Sequence, residues 1–267
     1  MTIEVDLYDS HYGRLGTDAQ SEVRRETYGE DLGQASWITA DEAREWFGRL
    51  RLGPGRQALE VACGSGGVTC AMAAHTGAAG VGIDINEHAI AAALQRAERA
   101  GLSAGCSFRT ADASRPLPFP AGSFDAVFCN DSINHLPDRA AVLAEWHRLL
   151  HAGGRILFTD PIVVTGQLSN EEIRDRSSIG FFLFTPPGVN ERLLERAGFR
   201  VQETQDRTPA VETVSQRWRS ARAARRERLI AQEGEDAFEG LQRFLAVVHT
   251  LAGERRLSRY AYLAEKV

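Results

Sequence analysis

From Gln57 onward, short apolar runs alternate with segments whose apolar residues recur at helical spacing. QALEVA (57–62), GVGID (80–84), CSFRTAD (106–112), FDAVFCN (124–130) and GRILFTD (154–160) each read as a buried strand. Between them, Gly66 to Ala74, Glu87 to Ala100 and Asp138 to Leu150 read as helices. Alternation of this kind predicts a parallel sheet covered by helices on both faces. Residues 1–50 read as mostly helical. TADEAREWFGRL opens there on Thr39, with Glu42 three positions later as in a capping box, and GPG (53–55) closes the segment. Beyond residue 160 the pattern loosens into a connection over 161–188 that contains FFLFTPPG, followed by a helix over 190–199 and a strand over 200–205. Residues 211–252 read as helical and RYAYLAEKV (259–267) as a closing strand. A helical insertion of about 45 residues between the last two strands is long enough to cover a pocket.

Composition narrows this picture by exclusion. The 267 residues are 43% apolar and 25% charged, with a net charge of −5, which suits one large globular unit and gives no sign of nucleic-acid binding. No apolar run reaches the roughly 20 residues that span a bilayer, and MTIEVDLYDSHYG is too acidic for a signal peptide. Cys63, Cys70, Cys106 and Cys129 are widely spaced and form no CxxC pair, so neither a structural metal nor a disulfide framework is expected. A cytoplasmic location follows from these readings. The basic stretch VSQRWRSARAARRERL (214–229) sets Val214, Trp218, Ala221 and Leu229 near one helical stripe, which reads as an amphipathic cap helix with a solvated face.

Chemistry concentrates in LEVACGSGGVT (59–69), a strand, a glycine turn and a helix start. Glycines there allow close approach of a ligand, and a helix start presents unpaired N–H groups. The dinucleotide fingerprint would need a glycine at position 69, which is Thr69. Three acids mark the strands instead: Glu60 inside the first, Asp84 ending the second and Asp112 after the third. Asp84 is suited to accept from two ribose hydroxyls and Asp112 from an adenine amine. An adenosine without phosphate fits this set better than a dinucleotide.

With these motifs the chain resembles the class I S-adenosylmethionine-dependent methyltransferases. The family's first motif corresponds to Glu60-Val-Ala62-Cys-Gly64-Ser-Gly66, with Ala62 in place of the usual glycine. The resemblance implies a Rossmann-like α/β fold of seven strands, mostly parallel, with the last strand antiparallel. It implies S-adenosylmethionine as cofactor, held by Glu60, Ala62, Gly64, Gly66, Asp84, Ile85, Asp112, Ala113 and Asn130, with Gln34 and Ser36 reaching in from the N-terminal segment. The expected division is a covering segment (1–50), a core (51–207 and 255–267) and a helical cap (208–254).

After the fourth strand, CNDSINH (129–135) sets Asp131 and His135 four residues apart, on one face if a helix begins there. This resembles the phosphobase N-methyltransferases, in which such a pair acts with an N-terminal tyrosine, here Tyr12, with Tyr8 and Tyr28 behind it. That subset's arginine before the aspartate is Asn130 in this chain. The expected reaction is methyl transfer to a small-molecule acceptor with His135 as general base, an amine leading and an O- or S-acceptor as alternative. A non-methylating binder of the same cofactor, or a cyclase, is the rival from another class. FFLFTPPG offers Phe181, Phe182 and Phe184 to an acceptor pocket, and Asp160-Pro161 ends the fifth strand at its rim.

Overall fold

A computed structural model describes residues 16–267. Seven strands form one sheet in the order β3-β2-β1-β4-β5-β7-β6. The first four are β1 (Gln57–Val61), β2 (Ala79–Asp84), β3 (Cys106–Thr110) and β4 (Phe124–Cys129), with β5 (Leu150–Val164), β6 (Phe199–Asp206) and β7 (Leu257–Lys266) completing it. Strands β1 to β5 pair in parallel, and β7 runs antiparallel to both β5 and β6.

Period-2 alternation divides the sheet's side chains between two cores. In β4, Val127 and Cys129 pack with Val142, Leu143 and Trp146 of α5 (Arg139–Leu149), and with Leu194 of α7 (Val189–Arg196). Ala126 and Phe128 point to the other face, against Ala43, Trp46 and Phe47 of α2 (Ala40–Arg49) and Met72 of α3 (Gly67–Thr76). The remaining sheet helix, α4 (Glu87–Arg99), starts at an Asn86 cap whose side chain accepts from Ala89 N–H.

A third core joins segments far apart in sequence. Ala19 and Val23 of α1 (Asp18–Tyr28), together with Trp37, pack on α8 (Thr208–Ala223), α9 (Arg226–Glu233) and α10 (Glu235–Gly253). Val214, Trp218, Ala221 and Leu229 are all buried there. The arginines beside them face acids: Arg225 donates to Glu22 and Glu26, Arg228 to Glu22, and Arg226 to Glu235 and Glu239. No helix among the described residues is long and apolar enough to cross a membrane.

Three local expectations change. Strand β5 does not end at residue 160 but continues through Pro161 to Val164, with a register shift between Asp160 and Val163. A proline is tolerated there because a bulge interrupts the ladder. The connection after β5 also contains α6 (Asn170–Arg176), opened by a complete capping box between Ser169 and Glu172. At Thr39 only half of the expected box forms: Thr39 Oγ1 accepts from Glu42 N–H at 3.2 Å, but the Glu42 carboxylate turns inward to Arg259.

Candidate cofactor and acceptor site

The carboxyl ends of β1, β2 and β4 open into a cavity of about 660 Å³. Its wall joins the glycine loop, the ends of β2 and β4, residues 111–115, the segment 32–37, the loop after α6 and the cap helices. Every proposed cofactor-binding residue except Gly66 lies in that wall, together with Asp131 and His135. Tyr8 and Tyr12 lie outside the described residues. Tyr28 is buried and turned away from this role, its hydroxyl donating to Ser36 O at 3.0 Å.

The loop's geometry follows from its composition. Ala62 has φ +56°, Gly64 φ +53° and Gly66 φ +70°. The left-handed region costs a non-glycine residue about 1–2 kcal/mol, so Ala62 holds strain where the family motif has glycine. Gly66 supports the loop from beneath: a Cβ there would meet Phe108 at 2.6 Å and Ala93 at 2.7 Å. Gly67, which begins α3, lies so close to the N-terminal segment that a Cβ would fall 1.6 Å from Leu32 O.

Glu60 is buried under this loop, accepting from Thr69 Oγ1 and from Asn130 Nδ2 at 2.9 Å. Burial pushes its pKa up to about 8, against the lowering effect of those hydrogen bonds. Asp84 accepts from Gly64 N–H at 2.8 Å and Asn86 N–H at 2.9 Å. Burial raises its pKa, and the two N–H groups oppose the rise. Asp112 accepts from Ser114 N–H at 2.9 Å and from Arg115 Nε at 3.2 Å. Partial burial works against its ionisation, but these partners outweigh it and pull the pKa below the usual value.

Two features of the wall fit an adenosine-bearing amino acid. Ile85 is 50% exposed, a large apolar side chain turned into the cavity beside Asp84, where an adenine face can cover it. Asn130 Oδ1 is buried with no hydrogen-bond partner among the described residues, leaving an acceptor for an ammonium or hydroxyl group. Gln34 is engaged with its own loop, its Oε1 accepting from Leu32 N–H at 2.8 Å, so its part in the wall is to hold that loop's shape.

Asp131 and His135 do not share a helical face. Asp131 sits at φ +54°, and a single 3-10 turn (Ile133–His135) follows it. The Asp131 carboxylate accepts from Arg259 Nε at 2.6 Å and from Trp37 N–H at 2.8 Å. Arg259, fully buried on β7, also donates to both oxygens of Glu42, at 2.7 and 2.9 Å. Asp131 thus fastens the N-terminal segment, through Trp37, to the sheet.

The His135 Nδ1 lies 2.7 Å from Phe181 O. A carbonyl only accepts, so Nδ1 carries the proton of the neutral ring and Nε2 carries the basic lone pair. Burial lowers the imidazole's pKa to about 4, helped by the charge of Arg176 and opposed by the Phe181 carbonyl. Phe181 and Phe182 line the cavity with His135, whereas Phe184 packs beside Ile162 and Leu251.

Pro161 reaches the cavity wall, but Asp160 does not. It is fully buried and accepts from Arg139 Nη1 at 2.6 Å and Asn190 Nδ2 at 3.0 Å. Arg139 also donates to Thr185 Oγ1 at 2.7 Å, which secures the loop that carries the phenylalanines. Trp37, Arg139, Arg176, Trp218, Phe244 and Arg259 are important residues that sequence patterning did not single out for the site. Trp218 and Phe244 belonged to regular helical patterns, and the three arginines had no local motif.

A family model described as a methyltransferase domain matches residues 59–158. An O-methyltransferase of Pyrenophora dematioidea is 30% identical, covering 75% of this chain and 76% of that protein. Phosphoethanolamine N-methyltransferase 1 of Arabidopsis thaliana is 29% identical over 75% of this chain and 40% of its own length. This chain spans between 36% and 62% of the length of four of the curated relatives it matches. Among solved structures, a mycolic acid cyclopropane synthase with bound S-adenosylhomocysteine shares the fold at a TM-score of 0.85, with 16% identity, covering 100% of this chain and 99% of that one. The sheet order, the strained glycine loop between β1 and α3 and the matched core together make this chain a member of the class I S-adenosylmethionine-dependent methyltransferases.

Proposed function

We propose that this protein transfers a methyl group from S-adenosylmethionine to a small-molecule acceptor, with His135 Nε2 taking the acceptor's proton. The observation that carries this reading is the continuity of one cavity, running from Asp84 and Asn130 to His135 and the aromatic loop. When bound, S-adenosylmethionine supplies an electrophilic methyl group on a sulfonium. The chain's own work is to align acceptor and cofactor and to accept a proton.

In this reading Asp84 receives the ribose hydroxyls, Ile85 and Ala113 flank the adenine, and Asp112 receives its amine. Asn130 Oδ1 and the glycine loop hold the methionine end, with Gln34 and Ser36 closing over it. Glu60 acts from below, orienting Asn130 and Thr69. Asp131 is a positioning residue, because its carboxylate faces Arg259 and Trp37. The cap helices and Trp37 exclude water, with the Trp37 ring 6.1 Å from Trp218 and 6.3 Å from Phe244.

Sequence likeness to phosphoethanolamine N-methyltransferases favours an amine acceptor, and likeness to an O-methyltransferase favours a hydroxyl. A screen of small amines, phenols and thiols with methyl-labelled cofactor tests the reading. Labelled product from at least one acceptor is expected. Binding of S-adenosylhomocysteine with no transfer across a broad panel would favour a non-methylating or cyclase role. Binding of NAD without S-adenosylhomocysteine would end the reading.

Asp84→Ala tests the cofactor half. Loss of charge-assisted hydrogen bonds worth about 1.5–3 kcal/mol predicts S-adenosylhomocysteine binding weaker by roughly 10- to 100-fold by calorimetry. An unchanged Kd would remove Asp84 from the ribose.

A further inference from the structure

The cavity has two chemically different ends. Around the glycine loop its wall carries the carboxylates of Glu60, Asp84 and Asp112. Around His135 it is predominantly apolar, formed by Trp37, Ile179, Phe181, Phe182, Trp218 and Phe244. Ring contacts tie this second end together: Phe182 meets the His135 ring at 4.7 Å, and the Trp37 ring lies 6.1 Å from Trp218 and 6.3 Å from Phe244. Two large apolar side chains of the wall are exposed, Ile85 at 50% and Phe181 at 38%. Ile85 stands beside Asp84 at the cofactor end, and Phe181 stands at the other. An isolated exposed phenylalanine is ordinary on a protein surface. This one continues an apolar wall, and its carbonyl oxygen is the group that His135 Nδ1 meets at 2.7 Å. The residue that orients the candidate base therefore also carries the exposed ring.

The polar groups available limit what this end can hold. A phosphate needs several charge-assisted donors facing it, and an apolar wall leaves it desolvated without compensation. Among the described residues the cavity wall has two guanidinium groups, Arg115 and Arg176, and no lysine. Arg115 Nε donates to Asp112 at 3.2 Å, at the cofactor end. Arg176 is 2% exposed, with its guanidinium carbon 4.7 Å from the ring centre of Phe182 and 5.0 Å from that of Phe244. It belongs to the packing of the aromatic wall. The family match ends at residue 158, before the loop that carries Phe181, so membership of the family does not set this end of the site.

Resting on the methyl-transfer reading above, we propose that Phe181 determines acceptor specificity, its ring forming the platform for an apolar, ring-bearing acceptor, and that the site rejects phosphate-bearing acceptors such as phosphoethanolamine. The acceptor's ring covers Phe181 and completes the wall made by Trp37, Phe182 and Phe244. Apolar area removed from water and ring-on-ring contact supply its binding. Because the same loop fixes His135, seating the ring on Phe181 also sets the distance from the acceptor's heteroatom to the candidate base.

The test uses the full chain saturated with S-adenosylhomocysteine and calorimetry near neutral pH. The probes are 2-naphthol as an apolar ring and phosphoethanolamine as a phosphate-bearing acceptor. In wild-type protein 2-naphthol is expected to bind at least about 10-fold more tightly than phosphoethanolamine. Phe181→Ala keeps the backbone carbonyl that His135 meets. It is expected to weaken 2-naphthol binding roughly 5- to 20-fold and to leave S-adenosylhomocysteine affinity unchanged. Phe181→Tyr keeps the ring face and is expected to bind 2-naphthol close to the wild-type affinity. Tighter binding of phosphoethanolamine than of 2-naphthol, or no binding of 2-naphthol at millimolar concentration, overturns the proposal. So does an unchanged 2-naphthol affinity in Phe181→Ala, an equal loss of S-adenosylhomocysteine affinity in that variant, or a loss in Phe181→Tyr as large as in Phe181→Ala. If Phe181→Ala does not fold, the wild-type comparison and Phe181→Leu, expected to lie between Ala and wild type, decide the matter. If S-adenosylhomocysteine binds and labelled methyl is transferred but the preference for 2-naphthol is absent, this inference alone falls. If wild-type protein does not bind S-adenosylhomocysteine, the methyl-transfer reading falls with it.

Discussion

Arg259→Met is expected to destabilise the fold by about 3–5 kcal/mol, measured by urea unfolding at neutral pH. Arg259 is fully buried and is the shared partner of Asp131 and Glu42, themselves buried. Removing it leaves two carboxylates facing one another without a counter-ion. Burial already raises the pKa of Glu42 with the arginine present, and the charge of Asp131 adds to that rise. Without Arg259 the folded-state pKa of Glu42 moves further above its unfolded value. A carboxyl whose folded pKa is raised contributes stability below that pKa and loses it as pH rises. The variant's deficit is therefore expected to shrink when unfolding is repeated at about pH 5 and to grow toward about pH 8. Adding Glu42→Gln and Asp131→Asn should recover much of the loss, because buried ion clusters replaced as a set cost far less than those broken singly. A deficit that is the same at both pH values, or no recovery in the triple variant, would mean that Arg259 acts by packing over Trp46, 5.5 Å away, rather than by charge. Because Asp131 also holds Trp37 N–H, the single variant should loosen the N-terminal segment and weaken S-adenosylhomocysteine binding as well.

Arg259 also marks the boundary of what sequence could reveal. The core strands were legible because each is a short apolar run ended by glycine or a polar turn, and the acids inside β1, at the end of β2 and after β3 stood at recognisable offsets. Glu42 was legible as half of a capping box, but its true partner lies 217 residues away, and local pattern carries no trace of such a contact. The Asp131–His135 spacing suggested a helical face, yet the left-handed backbone at Asp131 and the 3-10 turn after it separate the two side chains. Proline at 161 suggested that β5 stops, because the pairing and bulge that carry the strand past it are tertiary. Arg176 lay inside a connection read only for its phenylalanines, and its importance appears once α10 brings Phe244 against it.

His135→Gln is expected to lower kcat by about 10²- to 10⁴-fold, the range for losing a general base, and to leave S-adenosylhomocysteine affinity nearly unchanged. The geometry motivates both halves of that statement. Nδ1 is committed to Phe181 O, so Nε2 is the ring atom with proton-accepting character, while the identified candidate cofactor contacts lie on other residues. Glutamine can still donate to that carbonyl, so the loop should keep its place, and the loss should fall on proton transfer. The pH profile gives an independent readout. An ordinary histidine base would give kcat/KM an acid limb near pH 6.5, whereas burial holds His135 at about 4. Activity should therefore persist below the range of an unperturbed imidazole and fall only as pH approaches the lowered value, where His135 takes up a proton and loses its basic lone pair. The same shift affects stability: the unfolded chain binds that proton at higher pH than the folded chain, so the contribution is complete above about 6.5 and is lost as pH falls toward 4. In His135→Gln the acid limb should disappear and residual transfer should depend on the acceptor's own ionisation. For a phenol panel, rate would then rise with the fraction already present as the anion at the assay pH. If His135→Gln kept wild-type turnover, or kept an acid limb at the same position, proton abstraction would have to be assigned to another group.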